Sequence, residues 1–208
     1  MGKVCILGGN SQYVQMYLNR GFEPAELAEA DLVQFTGGHD VSPVLYGETR
    51  HEQTVSNSAR DAREARAFKL ALQMGKPMAG ICRGGQFLNV MCGGSMFQHV
   101  DNHARAGTHP VYDVRTKESI PCTSTHHQMM RAGPAAELIG VASEATVLES
   151  MKGGSIHYVK QKRGQDVEVL FYREQRALCF QPHPEFLDRD SLCQQWYFDL
   201  IEDLLEVA

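Results

Sequence analysis

The chain has 208 residues, 43% hydrophobic and 22% charged, and 20 Lys and Arg against 25 Asp and Glu leave a formal charge of −5. A chain of that length buries a core without disulfide or metal staples, and its composition excludes general disorder. The acidic balance lacks the clustered basic excess of a nucleic-acid binder, and no apolar run is long enough to span a membrane.

Val4–Leu7 is a short apolar run that predicts a first strand and is too short for the core of a signal peptide. Gly8-Gly9-Asn10-Ser11 follows, with Ser11 as the predicted cap of a helix over Gln12–Arg20 that Gly21 ends. Leu32–Thr36 predicts a second strand running into Gly37-Gly38. From His39 to Ser58 the sequence is polar and contains Pro43 and Gly47, the pattern of a long surface loop, and loops of that length are often functional. Ser58 to Met74 predicts the strongest helix, with Ala65, Phe68 and Leu72 on one face and Gly75 and Pro77 as its stop. Met78–Ile81 predicts a third strand and Gly84–Met91 a further helix. This alternation implies parallel strands covered by helices on both faces.

The second half changes character. Val111–Arg115, Thr146–Leu148, Ile156–Val159, Val167–Tyr172 and Ala177–Gln181 predict short strands, several with alternating polarity. Asp190–Val207 closes the chain as an amphipathic helix with Leu192, Trp196, Leu200 and Leu204 at core spacing. The expectation is an α/β fold in a single domain over 1–208: a mostly parallel central sheet with helices on both faces, plus a small antiparallel insertion in the second half. The six cysteines include no CxxC pair and accompany no secretory signal, so reduced thiols in the cytoplasm are expected, most of them small buried hydrophobes.

One cysteine stands apart. Gly80-Ile81-Cys82-Arg83-Gly84 lies between a predicted strand and a predicted helix, the nucleophile-elbow pattern with Cys at its centre. A sharp strand-to-helix turn exposes the central side chain, and glycines on either side let the turn pack closely. The thiol then lies at a helix N-terminus, where the dipole favours thiolate, and the N–H of Arg83 can face a developing oxyanion. The bland alternative is a buried structural Cys in a glycine-rich turn. A thiolate nucleophile needs a base and a group that orients it. Gln181-Pro182-His183-Pro184-Glu185 supplies both: Pro184 biases His183 to an extended backbone, and residues i and i+2 then project to one side. Glu185 can thereby fix the His183 tautomer. Alone, this segment is equally a surface turn.

Together these motifs resemble the class I glutamine amidotransferase superfamily, and within it the γ-glutamyl-γ-aminobutyrate hydrolase-like branch. The resemblance rests on Gly37-Gly38-x-Asp40-Val41-x-Pro43-x-x-Tyr46-Gly47, Arg60-Asp61-x-x-Glu64, Gly80-Ile81-Cys82-Arg83-Gly84-x-Gln86 with Asn89-Val90, Ser124-x-His126-His127-Gln128 and Gln181-x-His183-Pro184-Glu185, in order, over residues 4 to about 200. It implies a flavodoxin-like sandwich and a triad of Cys82, His183 and Glu185 that cleaves a γ-glutamyl amide through a glutamyl thioester. It further implies an oxyanion hole from the backbone of Gly38 and Arg83, and substrate contacts from Gln86, His126, His127 and Gln128. It implies a small γ-glutamyl substrate, no cofactor, and in one version a separate synthetase that accepts ammonia. Pro182 stands where an aromatic residue is common, Thr123 where Asn is usual, and the stretch from Gly94 to His109 is short for the hydrolases.

Other readings of the same residues remain. His99-x-Asp101-x-His103, with His109 and His126-His127 downstream, could ligate a metal on a strand, or be a polar surface loop; recognisable zinc spacing is missing, so no metal is expected. Gly8-Gly9-Asn10-Ser11 lacks the GxGxxG order of a dinucleotide loop. The charge run from Arg60 to Arg66 is either a solvated helix face or a brace for the substrate loop. Stress-protein and intracellular-protease-like relatives also use a Cys elbow, but their His follows the nucleophile or comes from elsewhere, whereas here Arg83 follows Cys82. A regulatory amidotransferase-like domain without activity is the reading in which Cys82 is inert.

Overall fold

The computed structural model describes residues 2–142, 146–162 and 164–207. Its first half alternates as expected: β1 (Lys3–Leu7), α1 (Ser11–Leu18), β2 (Glu23–Pro24), β3 (Leu32–Phe35), α2 (Ser58–Gln73), β4 (Met78–Ile81) and α3 (Arg83–Met91). The second half is made of strands: β5 (Ser95–Phe97), β6 (His99–Val100), β7 (Ala104–Asp113), β8 (Ser119–Thr125), β9 (Met129–Arg131), β10 (Glu137–Ala142), β11 (Val147–Lys152), β12 (Ser155–Lys160), β13 (Asp166–Tyr172) and β14 (Ala177–Phe180). α4 (Leu192–Leu205) follows, capped by the Ser191 hydroxyl.

Nine strands form one sheet in the order β2-β1-β3-β4-β14-β13-β10-β7-β8. The first five run parallel; β13, β10, β7 and β8 add antiparallel neighbours. The antiparallel strands therefore extend the central sheet, and among the described residues β12-β11-β6 and β5-β9 form separate small sheets.

β3 shows why the central strands are largely apolar, its one polar residue, Gln34, accepting the Tyr17 hydroxyl. Leu32 joins one core with Tyr17 of α1 and Tyr197 of α4, while its neighbour Val33 joins the other with Phe68 of α2 and Phe87 of α3. A strand buried on both faces needs apolar side chains at every position rather than at alternate ones. The result is the expected three-layer sandwich, α1 and α4 on one side and α2 and α3 on the other.

Local chemistry moves some boundaries. Asn10, not Ser11, caps α1, its side chain accepting the Gln12 N–H at 2.9 Å. Both residue types cap well, so the adjacent pair left the start uncertain by one residue. No helix among the described residues is long and apolar enough to cross a membrane.

Candidate active site

β4 ends at Ile81 and α3 begins at Arg83, so Cys82 alone makes the turn, at φ 51° and ψ −115°. A positive φ in a residue with a Cβ costs about 1–3 kcal/mol and persists only where the surroundings enforce it. Here the Cys82 N–H donates to the Phe180 carbonyl at 2.7 Å, and the Cys82 carbonyl accepts the Gln86 N–H at 2.9 Å. Glycines permit this close approach. A Cβ on Gly84 would lie 2.2 Å from the Phe35 carbonyl oxygen, and one on Gly80 would lie 2.4 Å from the Gly84 backbone. Neither contact can be relieved by a side-chain rotation. Gly84→Ala should lower the urea unfolding midpoint by a loss of about 1–3 kcal/mol or more; a midpoint within error of wild type would mean that α3 does not press on β3.

β14 delivers the second element of the site. His183 follows it, its backbone N–H donating to the Thr123 hydroxyl at 2.6 Å. The imidazole Nδ1–H donates to Glu185 Oε1 at 2.6 Å, and Phe186 stacks on the ring 4.5 Å away. That leaves Nε2 toward Cys82. Burial opposes charge on the ring, yet the Cys82 sulfur and the Glu185 carboxylate together push the His183 pKa up to about 10. The predicted Cys82, His183 and Glu185 are thus one constellation. Thr123, a departure from the resembled family, holds the His183 backbone.

Residues 23–185 match the family described as peptidase C26. The chain belongs to the peptidase C26 family. The glutamine amidotransferase-like protein YvdE of Lactococcus lactis subsp. lactis is 33% identical over 167 residues, covering 76% of this chain and 67% of that protein. Protein NtpR of Enterococcus hirae is 32% identical over 51% of this chain and 54% of its own length. Among solved structures, a glutamine amidotransferase from Thermotoga maritima superposes with a TM-score of 0.62 at 16% identity, covering 99% of this chain and 84% of that one. The glutaminase domain of Trypanosoma brucei CTPS, solved with bound acivicin, gives 0.56 at 12% identity over 99% and 94%. These two likenesses show the shared fold. Peptidase C26 membership accounts for the order of motifs noted in the sequence.

The site also contains residues that sequence reasoning passed over. Tyr13, read only as part of a helix, accepts the Gly37 N–H at 2.9 Å and lies against Glu185. Gly37 itself lies close to His183 and Cys82: a Cβ there would lie 3.0 Å from His183 Cε1 and 3.7 Å from Cys82 Cβ. Gly38, at φ 135°, takes a conformation open to glycine. The charge run from Arg60 to Arg66 divides: Arg63 and Arg66 are exposed, while Arg60, Asp61 and Glu64 form a brace. Arg60 donates to the Thr36 and Gly37 carbonyls at 2.8 and 2.9 Å and pairs with Glu64 at 2.7 Å. Asp61 accepts the Ser42 N–H and the Arg83 guanidinium, which also pairs with Glu64. The loop carrying Gly37-Gly38 is therefore tied to α2 by charge.

A cavity of about 240 Å³ opens beside Cys82, with Gly38, Gln86, His126, His127 and Gln128 in its wall. Their freedom to meet a ligand differs. Gln86 is buried and donates to Gln181 at 3.0 Å. His126 is 3% exposed, its Nδ1–H donating to the Gln128 carbonyl at 2.8 Å and its Nε2 turned to Glu168. Gln128 donates through Nε2 to Thr54 and to the Gln98 carbonyl, while its Oε1 has no protein partner. His127 is the accessible one, with a side chain 38% exposed and held by Asp40 at 3.1 Å. The surface-loop reading of His99 to His103 fails at its far end, because His103 is buried.

Proposed function

We propose that this protein is a cysteine amidohydrolase that cleaves the γ-glutamyl amide of glutamine or of a γ-glutamyl amine. The single observation that carries the proposal is the elbow cysteine facing an imidazole that is locked by a 2.6 Å bond to Glu185. Cys82 attacks the side-chain amide carbon as thiolate. The oxyanion forms between the backbone N–H groups of Gly38 and Arg83, since the first N–H groups of a helix have no partner within it. His183 gives its proton to the departing amine, leaving a glutamyl thioester. It then takes a proton from water as that water attacks the thioester and releases glutamate. His127 faces the α-amino and α-carboxylate end of the substrate, with Gln128 in the wall beside it. Gln86 and His126 act from behind, fixing Gln128 and the wall. The six unpaired thiols suit a cytoplasmic setting.

A cavity this small lies below the roughly 300–1,000 Å³ of sites for drug-sized ligands. Together with relatives named glutamine amidotransferase-like, that favours a second version: a glutaminase subunit passing ammonia to a separate synthetase chain. Glutamate release from glutamine and a panel of γ-glutamyl amines tests both. Release from one conjugate and not from glutamine identifies a free-standing hydrolase. Release from glutamine alone identifies the glutaminase. Silence on every substrate, with Cys82 alkylating no faster than the buried thiols, would overturn the proposal.

Glu185 orients the imidazole and accepts no proton in this scheme. Glu185→Gln should therefore reduce kcat by about 10- to 10⁴-fold and leave measurable turnover. Steady-state kinetics on whichever substrate is cleaved give the check; an unchanged kcat would remove Glu185 from the machinery.

A further inference from the structure

Behind the cavity wall lies a second cluster of titratable groups, of which the proposed chemistry uses only His126, as a support for the wall. β10 ends its pairing at Ala142, opposite Val111 of β7 and Asp166 of β13. β7 itself continues to Ala104, and His103, His109, His126 and Glu168 are all buried. Three imidazole nitrogens converge on one oxygen. Glu168 Oε1 lies 3.2 Å from His103 Nδ1, 3.3 Å from His126 Nε2 and 3.8 Å from His109 Nε2.

The protons in this cluster are largely assigned by what surrounds it. His126 Nδ1 faces a carbonyl, Gln128, and must donate to it. His103 Nε2 faces the Asp166 carboxylate at 2.9 Å and must donate there, while the Ser124 hydroxyl gives its own proton to the His103 carbonyl at 2.6 Å. The nitrogens left over therefore present lone pairs, or extra protons, to a carboxylate. His109 is the decisive member. Among the described residues neither of its ring nitrogens has a hydrogen-bond partner, whereas Glu168 Oε1 has nitrogens of His103 and His126 within 3.3 Å. A buried polar group without a partner costs free energy, and several sharing one space point to a missing occupant. A proton cannot bridge the 3.8 Å from His109 to Glu168. Two ligands on one metal can span it, each about 2.0–2.2 Å from the ion.

We propose that His103, His109 and Glu168, with His126 drawn in as a fourth ligand, form a site for a zinc-class divalent cation. His103, His109 and Glu168 already bring one donor atom each within 4.8 Å of one another, and His126 joins them through its contact with Glu168. Three imidazoles and one carboxylate suit zinc among the common divalent ions. The outer partners also match a metal site, since ligating histidines donate their second N–H to a carboxylate or a carbonyl, as His103 does to Asp166 and His126 to Gln128. The ion would tie β7 and the end of β8 to β13 and hold the wall from which His127 and Gln128 face the cavity. This proposal is independent of the amidohydrolase reading, because its readout is metal content.

The test uses the full chain, stripped with chelator and then given zinc chloride. After desalting, wild type should retain one zinc per chain and melt at a higher temperature with zinc than without it. His109→Gln should retain almost none and show no zinc-dependent shift. Cobalt chloride in place of zinc should give visible absorption bands of a four-coordinate ion without a near-ultraviolet sulfur-to-cobalt band. That spectrum decides the matter on wild type even if the variant does not fold. No retained zinc, retention unchanged in His109→Gln, or a sulfur band marking thiols as ligands would each overturn the site.

Discussion

Replacing Cys82 by alanine should reduce glutamate release by roughly 10⁴-fold or more, with little change in the fold. Alanine keeps the Cβ, and the bonds that enforce φ 51° at this position are backbone bonds to Phe180 and Gln86. The second readout is the imidazole itself. Burial lowers the His183 pKa, and the Cys82 sulfur is the largest influence raising it to about 10. In Cys82→Ala the His183 proton should therefore titrate at a distinctly lower pH by NMR. The sign for stability follows. A folded pKa raised above the unfolded value near 6.5 contributes stability that is complete below about pH 6.5 and is lost as pH rises through about 10. Wild type should lose stability across that window more steeply than Cys82→Ala. Alkylation adds a third check: Cys92, also partly exposed, has its thiol pushed up to about 12 by burial, so rapid labelling at neutral pH should fall on Cys82. Turnover near the wild-type rate in Cys82→Ala would end the thioester scheme.

The parallel half of the sheet and the grouping of Cys82, His183 and Glu185 were legible because each was written locally. β1, β3 and β4 are apolar except for Lys3 and Gln34, since helices cover both faces, and each is followed by a glycine-bearing turn. Cys82 could be singled out because only small residues allow α3 to sit on β3 and β4, and that requirement leaves Gly80 and Gly84 in the sequence. His183 and Glu185 needed only a two-residue offset beside a proline.

The antiparallel half was harder to read for physical reasons. β7 spans Ala104–Asp113, but its first five residues are exposed, so no alternation marks them. β5, β6 and β9 are two or three residues long and hold their place by pairing with distant partners. Long-range pairing also decided the fate of polar side chains. Gln86 and His126 have the chemistry to bind a substrate, yet the fold engages Gln86 with Gln181 and His126 with Gln128 and Glu168. Tyr13 went the other way, a helix residue whose hydroxyl reaches the site because α1 packs beside β3 and the turn holding Glu185. Nothing in the spacing of a Tyr on a helix distinguishes that case from an ordinary core tyrosine.

The largest effect on stability should come from Arg83→Met, at a cost of about 3–5 kcal/mol. The Arg83 guanidinium is 1% exposed, pairs with Asp61 and Glu64 and stacks 4.9 Å over the Phe87 ring. Methionine replaces the volume and much of the ring contact, so the loss isolates charge. Asp61 and Glu64 are themselves buried, and without Arg83 only Arg60 remains to offset them. Uncompensated buried carboxylates are far more costly than the ion pair is beneficial. Neutralising them in the same chain, with Asp61→Asn and Glu64→Gln, should therefore recover most of the lost stability. Urea melts of the single and combined variants give the comparison, through midpoints at unchanged slope. Activity separates the two parts of this residue. The proposed oxyanion donor is the backbone N–H at position 83, which methionine retains, so turnover measured well below the melting point should fall far less than in Cys82→Ala. A loss as deep as that of Cys82→Ala in a folded Arg83→Met protein would move the catalytic role from the backbone to the side chain. Wild-type stability would mean that the network bracing Gly37-Gly38 rests on Arg60 alone.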